Sequence, residues 1–395
     1  MVTRAPKVER TDRTERTDTT PRLDLDAARL PWLQEPLART LAGQRSHALL
    51  VSGLSGVGQL ACALALAKSW LCETPADARP QRLACGHCAS CHLVDERSHP
   101  DLRLIVPEAL RGEVGLDADD AGEGTADSGE GKSEGKSKKA KPSLEIKVDQ
   151  IRAAIGFSEL TAGRGRLKVL VLHPAEALNT VSANALLKTL EEPPGALRFV
   201  LSTAEPQGLL PTIRSRCQQV ALPRPDPVLA TAWLGEQGVE RPEVLLAASG
   251  EQPLVALAMH RDGLDAAAWL SLPERVASGD VAAFSGWALP LLVQTLQKLC
   301  HDRLLVSVGA APRYFAGARL TPGDVGRLSA WAADLRRQAR HADHPYNAGL
   351  AVEALLAQAR EANSVISPVS AHGKSSAGAA SARQRPVGGP IHSRS

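Results

Sequence analysis

Residues 53–60 read Gly-Leu-Ser-Gly-Val-Gly-Gln-Leu, with an apolar run before them and a helical pattern after. This is the glycine spacing of a phosphate-binding loop, G-x-x-x-x-G-K-[ST]. Gly53, Gly56 and Gly58 allow a tight turn whose backbone N–H groups converge on an anion. Phosphoryl transfer also needs a lysine on the phosphates and a hydroxyl on Mg²⁺. Gln59 stands in place of the lysine, and Leu60 in place of the hydroxyl. Glutamine has no charge to offset phosphate, and leucine cannot ligate a metal. The second half of such a site, a strand ending in Asp-Glu, is altered as well. The apolar run 169–172 leads into His173 and Pro174. Gly53, Gly58, Gln59 and Leu60, with His173 and Pro174, therefore mark a degenerate nucleotide site, expected to hold no ATP and to hydrolyse none.

Cys72, Cys85, Cys88 and Cys91 form a C-x12-C-x2-C-x2-C pattern. Two short spacings that share Cys88 bring three thiolates to one point, and Cys72 can complete a tetrahedron. Four thiolates leave no open position, so the expectation is a structural Zn²⁺ rather than a catalytic one. His87 and His92 lie close enough in sequence to rival them, but four cysteines make them unnecessary. Cys62, Cys217 and Cys300 sit in apolar or helical surroundings and read as core.

The segment 183–194, ANALLKTLEEPP, places Ala183, Leu186, Leu187 and Leu190 on one helical stripe and turns Asn184 and Lys188 away from it. Pro193 and Pro194 stop that helix. Downstream, Thr-Ile-Arg-Ser-Arg-Cys at 212–217 puts Arg216 just ahead of a further apolar run. An isolated surface arginine is usually solvated or paired with a carboxylate. A guanidinium is nevertheless planar, always charged and suited to bidentate phosphate contact.

The elements that must position these residues alternate. Strands are expected at 48–52, 102–106, 169–172, 199–203 and 218–222, with helices at 59–72, 148–160 and 180–191. The strands are nearly continuous apolar runs, as parallel strands covered on both faces are. The expectation is an α/β domain with a doubly wound parallel sheet. After 223–227, Pro-Arg-Pro-Asp-Pro, the strand patterns disappear. Helical stripes then run through Leu289, Leu292, Leu296 and Leu299, through Val325, Leu328 and Leu335, and through Val352, Leu355, Leu356 and Ala359.

The expected domains are an N-terminal extension without order (1–24), the α/β domain (25–222), a small helical unit (223–264), a larger helical unit (265–362) and a second disordered tail (363–395). Within the α/β domain lie the zinc module (72–91) and a disordered insertion (109–143). The core of that insertion, 117–141, is Gly-rich and acidic, then Lys-rich, too polar to offset the entropy of ordering.

The chain has 395 residues, 44% of them hydrophobic, enough for two or three packed domains. Lys+Arg number 46 against 43 Asp+Glu, a net charge of +3, which makes no case of its own for nucleic-acid binding. No apolar run is long enough to span a membrane. The first twenty residues have no apolar core and do not read as a secretory signal, so a cytoplasmic placement is expected.

These residues together resemble the delta-prime subunits of bacterial DNA polymerase III clamp loaders, a branch of the AAA+ family. HALLVSG at 47–53, the four cysteines, HPDL at 99–102, ANALLKTLEEPP at 183–194 and IRSRC at 213–217 carry the resemblance. It implies an AAA+ module, a helical lid and an all-α collar that joins a hetero-oligomeric ring. It also implies partners: the gamma/tau ATPase subunits and delta, and through them the sliding clamp and primed DNA. Arg216 would then act in trans on a neighbouring subunit's ATP, and Thr203, in the place of a nucleotide sensor, would be structural. The implied complex has DNA polymerase activity, whereas this subunit would have no ATPase of its own. Two readings compete. A gamma/tau-type ATPase requires the lysine absent at 59. A zinc-ribbon DNA-binding protein requires a basic, aromatic surround, and aromatics are only 3% of the chain.

Overall fold

The apolar runs form one parallel sheet. In this computed structural model the described residues are 26–116, 142–164, 167–341 and 348–363. Helix α1 (Gln34–Gly43) leads into β1 (Ala48–Ser52), which the glycine loop joins to α2 (Gln59–Leu71). Helix α3 (Ala89–Asp95), β2 (Leu102–Ile105), α4 (Val148–Glu159) and β3 (Lys168–Leu172) follow. Then come α5 (Thr180–Glu191), β4 (Leu197–Thr203), the single turn α6 (Pro211–Arg214) and β5 (Gln218–Ala221). The strand order is β2-β3-β4-β1-β5, with every pairing parallel. The five strands and three helices lie within one or two residues of their expected positions.

Alternate residues of each strand enter different cores, because a strand's side chains alternate between faces. Leu49 and Val51 join the core that includes α1 and α2, and Leu50 joins the one that includes α4 and α5. On α5, Ala183, Leu186 and Leu190 are buried while Asn184 and Lys188 are exposed. Asn179 caps this helix by accepting from the Ser182 N–H at 2.9 Å.

The expected insertion is too wide. Residues 109–116 are part of the packed body, because the apolar pair Leu110 and Val114 turns inward there, with Val114 only 2% exposed. Across the gap the Ala109 N–H donates to the Ser143 carbonyl at 3.1 Å. Residues 117–141 lie outside the described residues, as do 1–24 and 364–395.

The rest is helical. Helices α7 (Pro227–Glu236), α8 (Pro242–Ser249) and α9 (Pro253–Arg261) form a small unit over the loop that follows β1. Helices α10 (Ala266–Ser278), α11 (Leu289–Ser307), α12 (Val325–Ala339) and α13 (Ala348–Asn363) pack together as a second. Leu292, Leu296, Leu299, Leu328, Leu335 and the stripe from Val352 to Ala359 are buried as expected. Val325 is not: it starts α12 and is 45% exposed, and Trp331 takes up the apolar stripe instead. Lys298 on α11 donates to the Ala248 carbonyl at 2.8 Å, joining the two helical units.

Candidate functional site

The glycine loop has the backbone of a phosphate cradle. Gly56 and Gly58 take φ of +71° and +99°, a region glycine enters without steric cost. The chain's own side chains and backbone bond to this loop. The Gln59 side chain folds back, and its Nε2 donates to the carbonyls of Gly53 (2.9 Å) and Leu54 (2.6 Å). Gln59 is buried, and so is Leu60 beside it. The loop's outer side is covered too. Trp32 Nε1 donates to the Val57 carbonyl at 2.8 Å, and Leu254, in the first turn of α9, donates its N–H to the Gly56 carbonyl at 3.1 Å. A Cβ on Gly56 would lie 2.6 Å from Val255 Cγ2.

The strand end opposite the loop carries no charge pair. His173 follows β3 directly, and its Nδ1 lies 3.0 Å from Ser202 Oγ. That hydroxyl donates onward to the Leu172 carbonyl at 3.2 Å, so Nδ1–H is the donor to Ser202. Burial pulls the His173 pKa down to about 4, against the opposing pull of Glu176, so the ring is neutral at neutral pH. Pro174 follows through a cis peptide bond. The nearest acidic group along the chain, Glu176, is turned to the backbone: its Oε1 accepts from the Ala204 N–H at 3.0 Å. Thr203 is fully buried and accepts from the Glu205 N–H at 3.0 Å, a structural contact.

The four cysteines come together. Cys72 ends α2, Cys85 lies in the following loop, and Cys88 caps α3, which carries Cys91. Their sulfurs all lie within 4.8 Å of one another, with Cys72–Cys88 and Cys85–Cys91 both at 3.9 Å. A tetrahedral Zn²⁺ with bonds of about 2.3 Å sets its sulfurs about 3.8 Å apart, so the cage fits that ion. Hydrogen bonds, the strongest from Thr74, hold the Cys85 thiol down at about 5, while burial pushes Cys91 up. The other cysteines are inert core: burial raises Cys62 and Cys217 to about 12 and Cys300 to about 11.

Arg216 sits apart from the loop. It precedes β5, whereas Gly53 follows β1 and His173 follows β3. The strands are parallel, so Arg216 lies at their amino ends and the loop at their carboxyl ends, about 15 Å away along a strand of this length. It cannot serve its own chain's loop. Its guanidinium pairs with Glu191 at the end of α5, and Nη1 donates to the Thr212 carbonyl at 2.8 Å. Glu191 lies inside the ANALLKTLEEPP segment, but its partner is 25 residues downstream, and nothing in the local pattern marks the pairing. Trp32 and Leu254 likewise gave no motif signal, since both reach the loop only through the tertiary fold.

A parallel sheet with a glycine loop after its first strand, a helical unit resting on that loop and an all-α C-terminal region make up an α/β phosphate-loop module with two helical units behind it. The family model described as "DNA polymerase III, delta subunit" matches residues 33–226. DNA polymerase III subunit delta' of Escherichia coli is 31% identical over 318 residues, covering 77% of this chain and 82% of that protein. The delta' subunit of Pseudomonas aeruginosa is 38% identical over 240 residues, covering 59% of this chain and 62% of that protein, under two thirds of its length. DNA polymerase III subunit tau of E. coli is 34% identical over 180 residues, 46% of this chain and 22% of that protein. The chain belongs to the DNA polymerase III subunit delta' family.

Proposed function

We propose that this chain is a non-hydrolysing clamp-loader subunit. It holds its place in a ring with gamma/tau and delta subunits and offers Arg216 to a neighbour's ATP, for loading the sliding clamp onto primed DNA in the cytoplasm. The observation that carries the reading is Gln59, buried and hydrogen-bonded to the carbonyls of Gly53 and Leu54 where a lysine would meet phosphate. With Leu60 buried and His173 neutral, the loop offers neither a cation nor a metal ligand. Arg216, at the far end of the strands and half-exposed, is free to reach a second chain once it leaves Glu191. The cysteine cage holds Zn²⁺ and fixes the loop between α2 and α3.

The test uses the complex reassembled from purified subunits. Arg216→Ala should lower hydrolysis at the neighbouring site by about a thousandfold while the ring still assembles, the scale of an arginine supplied in trans. Unchanged hydrolysis would remove the trans role. The isolated chain should neither retain nor cleave ATP, and turnover by the chain alone would overturn the reading.

A further inference from the structure

A second concave site lies at the amino ends of the strands, away from the glycine loop. It is a cavity of 560 Å³, within the range of small-ligand sites. Its lining includes His47 just before β1, Arg198 on β4, Trp70 near the end of α2, and Arg79 and Arg82 from the loop of the cysteine module. Arg45 lines it as well, and among the described residues no carboxylate does.

Arg198 is the informative residue. Its guanidinium carbon lies 4.8 Å from the centre of the Trp70 ring, and Nη1 donates to the Gln44 side-chain carbonyl at 3.2 Å. Both partners are neutral. Burial alone pulls its pKa down, with no acidic group to oppose the shift. A guanidinium partly withdrawn from water and left without a counterion carries a cost that an anion in the cavity would relieve. Its place over the Trp70 ring, with the bond to Gln44, restricts its motion, so less freedom is lost when it binds. Arg79 is held in place by the carbonyls of Ser69 (3.0 Å) and Leu83 (2.9 Å). Arg82 faces the exposed Asp77 at 3.6 Å, a loose contact that an anion can displace. Arg45 has no side-chain partner among the described residues.

We infer that this cavity binds phosphate oxyanions, with Arg198 as the fixed anchor and Arg45 and Arg82 closing on the ligand from the rim. The phosphate has two possible sources, a free phosphate compound or the backbone of single-stranded DNA. The site is separate from the glycine loop and from Arg216, neither of which lines it.

The test is a calorimetric titration of the full chain at low salt with inorganic pyrophosphate and, separately, with a short oligothymidylate. The wild type should bind at least one of them. Binding of pyrophosphate alone identifies a free phosphate ligand, whereas binding of the oligonucleotide alone identifies a strand backbone. The double variant Arg45→Gln/Arg82→Gln should bind about tenfold or more weakly, the scale of lost charge-assisted contacts. Both positions are exposed, so the fold is expected to persist, with an unchanged far-UV spectrum as the check. Arg198→Gln should abolish binding, and Arg152→Gln on α4, outside the cavity, should leave it unchanged. Wild-type affinity in the double variant, or no binding of either probe by the wild type, would overturn the inference.

Discussion

The Leu254 N–H donates to the Gly56 carbonyl at 3.1 Å, so α9, the last helix of the small unit expected as a lid, is bonded to the loop it covers. In a nucleotide-binding cradle the loop turns its N–H groups toward phosphate and a lysine crosses the space. Here Gln59 crosses in the opposite sense, donating to carbonyls, and the lid bonds to the loop directly. The closed arrangement leads to tests of stability as well as of activity.

Gln59→Leu removes both donors and leaves the Gly53 and Leu54 carbonyls to find other partners. The expected cost is about 1–3 kcal/mol, read from urea unfolding, because buried acceptors lose their hydrogen bonds. Gln59→Lys should restore no ATP turnover, since His173 and Pro174 still occupy the place of the carboxylates. Turnover by that variant would show that the loop retains a competent phosphate geometry.

Gly56→Ala meets two obstacles. Its φ of +71° disfavours a side chain, and the new methyl group would press on Val255 Cγ2 at 2.6 Å. The destabilisation should be about 2–4 kcal/mol, combining backbone strain with overpacking. Tryptophan fluorescence during unfolding gives the measurement, and an unchanged midpoint would mean that neither the positive φ at Gly56 nor the packing of Val255 against it holds in solution.

Glu191→Gln should change the stability of the isolated chain by less than about 0.5 kcal/mol, because the pair with Arg216 is about half exposed and screened. A loss of several kcal/mol in thermal unfolding would instead make Arg216 a structural anchor and weaken its assignment to a neighbour's ATP.

The purified chain should carry one Zn²⁺ per chain by atomic absorption, and Cys88→Ser should lose most of it. Thiolates must be deprotonated to bind, so retention should weaken as the pH falls. Chelation should loosen the segment between α2 and α3 while the sheet stays folded, as hydrogen exchange would record. A wild-type chain without metal, or full metal in Cys88→Ser, would refute the cage.

His173 provides a pH signature. Its folded pKa of about 4 lies below the ordinary 6.5, so between these values the unfolded chain binds the extra proton. Its contribution therefore lowers stability as the pH falls from 6.5 to 4, with a slope approaching about 1.4 kcal/mol per pH unit. His173→Asn should flatten the urea-unfolding midpoint across that window. An unchanged slope would mean that the ring is more hydrated than its burial implies.

The five strands could be read from the sequence because parallel strands covered on both faces are apolar along their whole length. Gln59 and Leu60 stand out in the loop because residue types at a fixed spacing can be read directly. The Cys72–Cys91 cage was legible for the same reason. Long-range closure was not: Trp32 and Leu254 reach the loop from opposite sides in sequence, and no local period encodes that. Leu110 and Val114 were hidden by the polar run that follows them, which made the whole stretch look solvent-loving. Arg198 looked like one polar residue in a strand, and its missing counterion appears only when Gln44 and Trp70 are set beside it.

Trp233 Nε1 donates to the Arg29 carbonyl at 2.7 Å, and its ring meets Trp32 edge-on at 5.2 Å. The segment before α1 is thereby clasped between the lid and the loop. A subunit whose lid swings on nucleotide loses and regains that angle with every turnover. In this chain indole rings and peptide groups set the angle, so under the proposed function its shape would not follow the chemical cycle of a neighbouring ATPase.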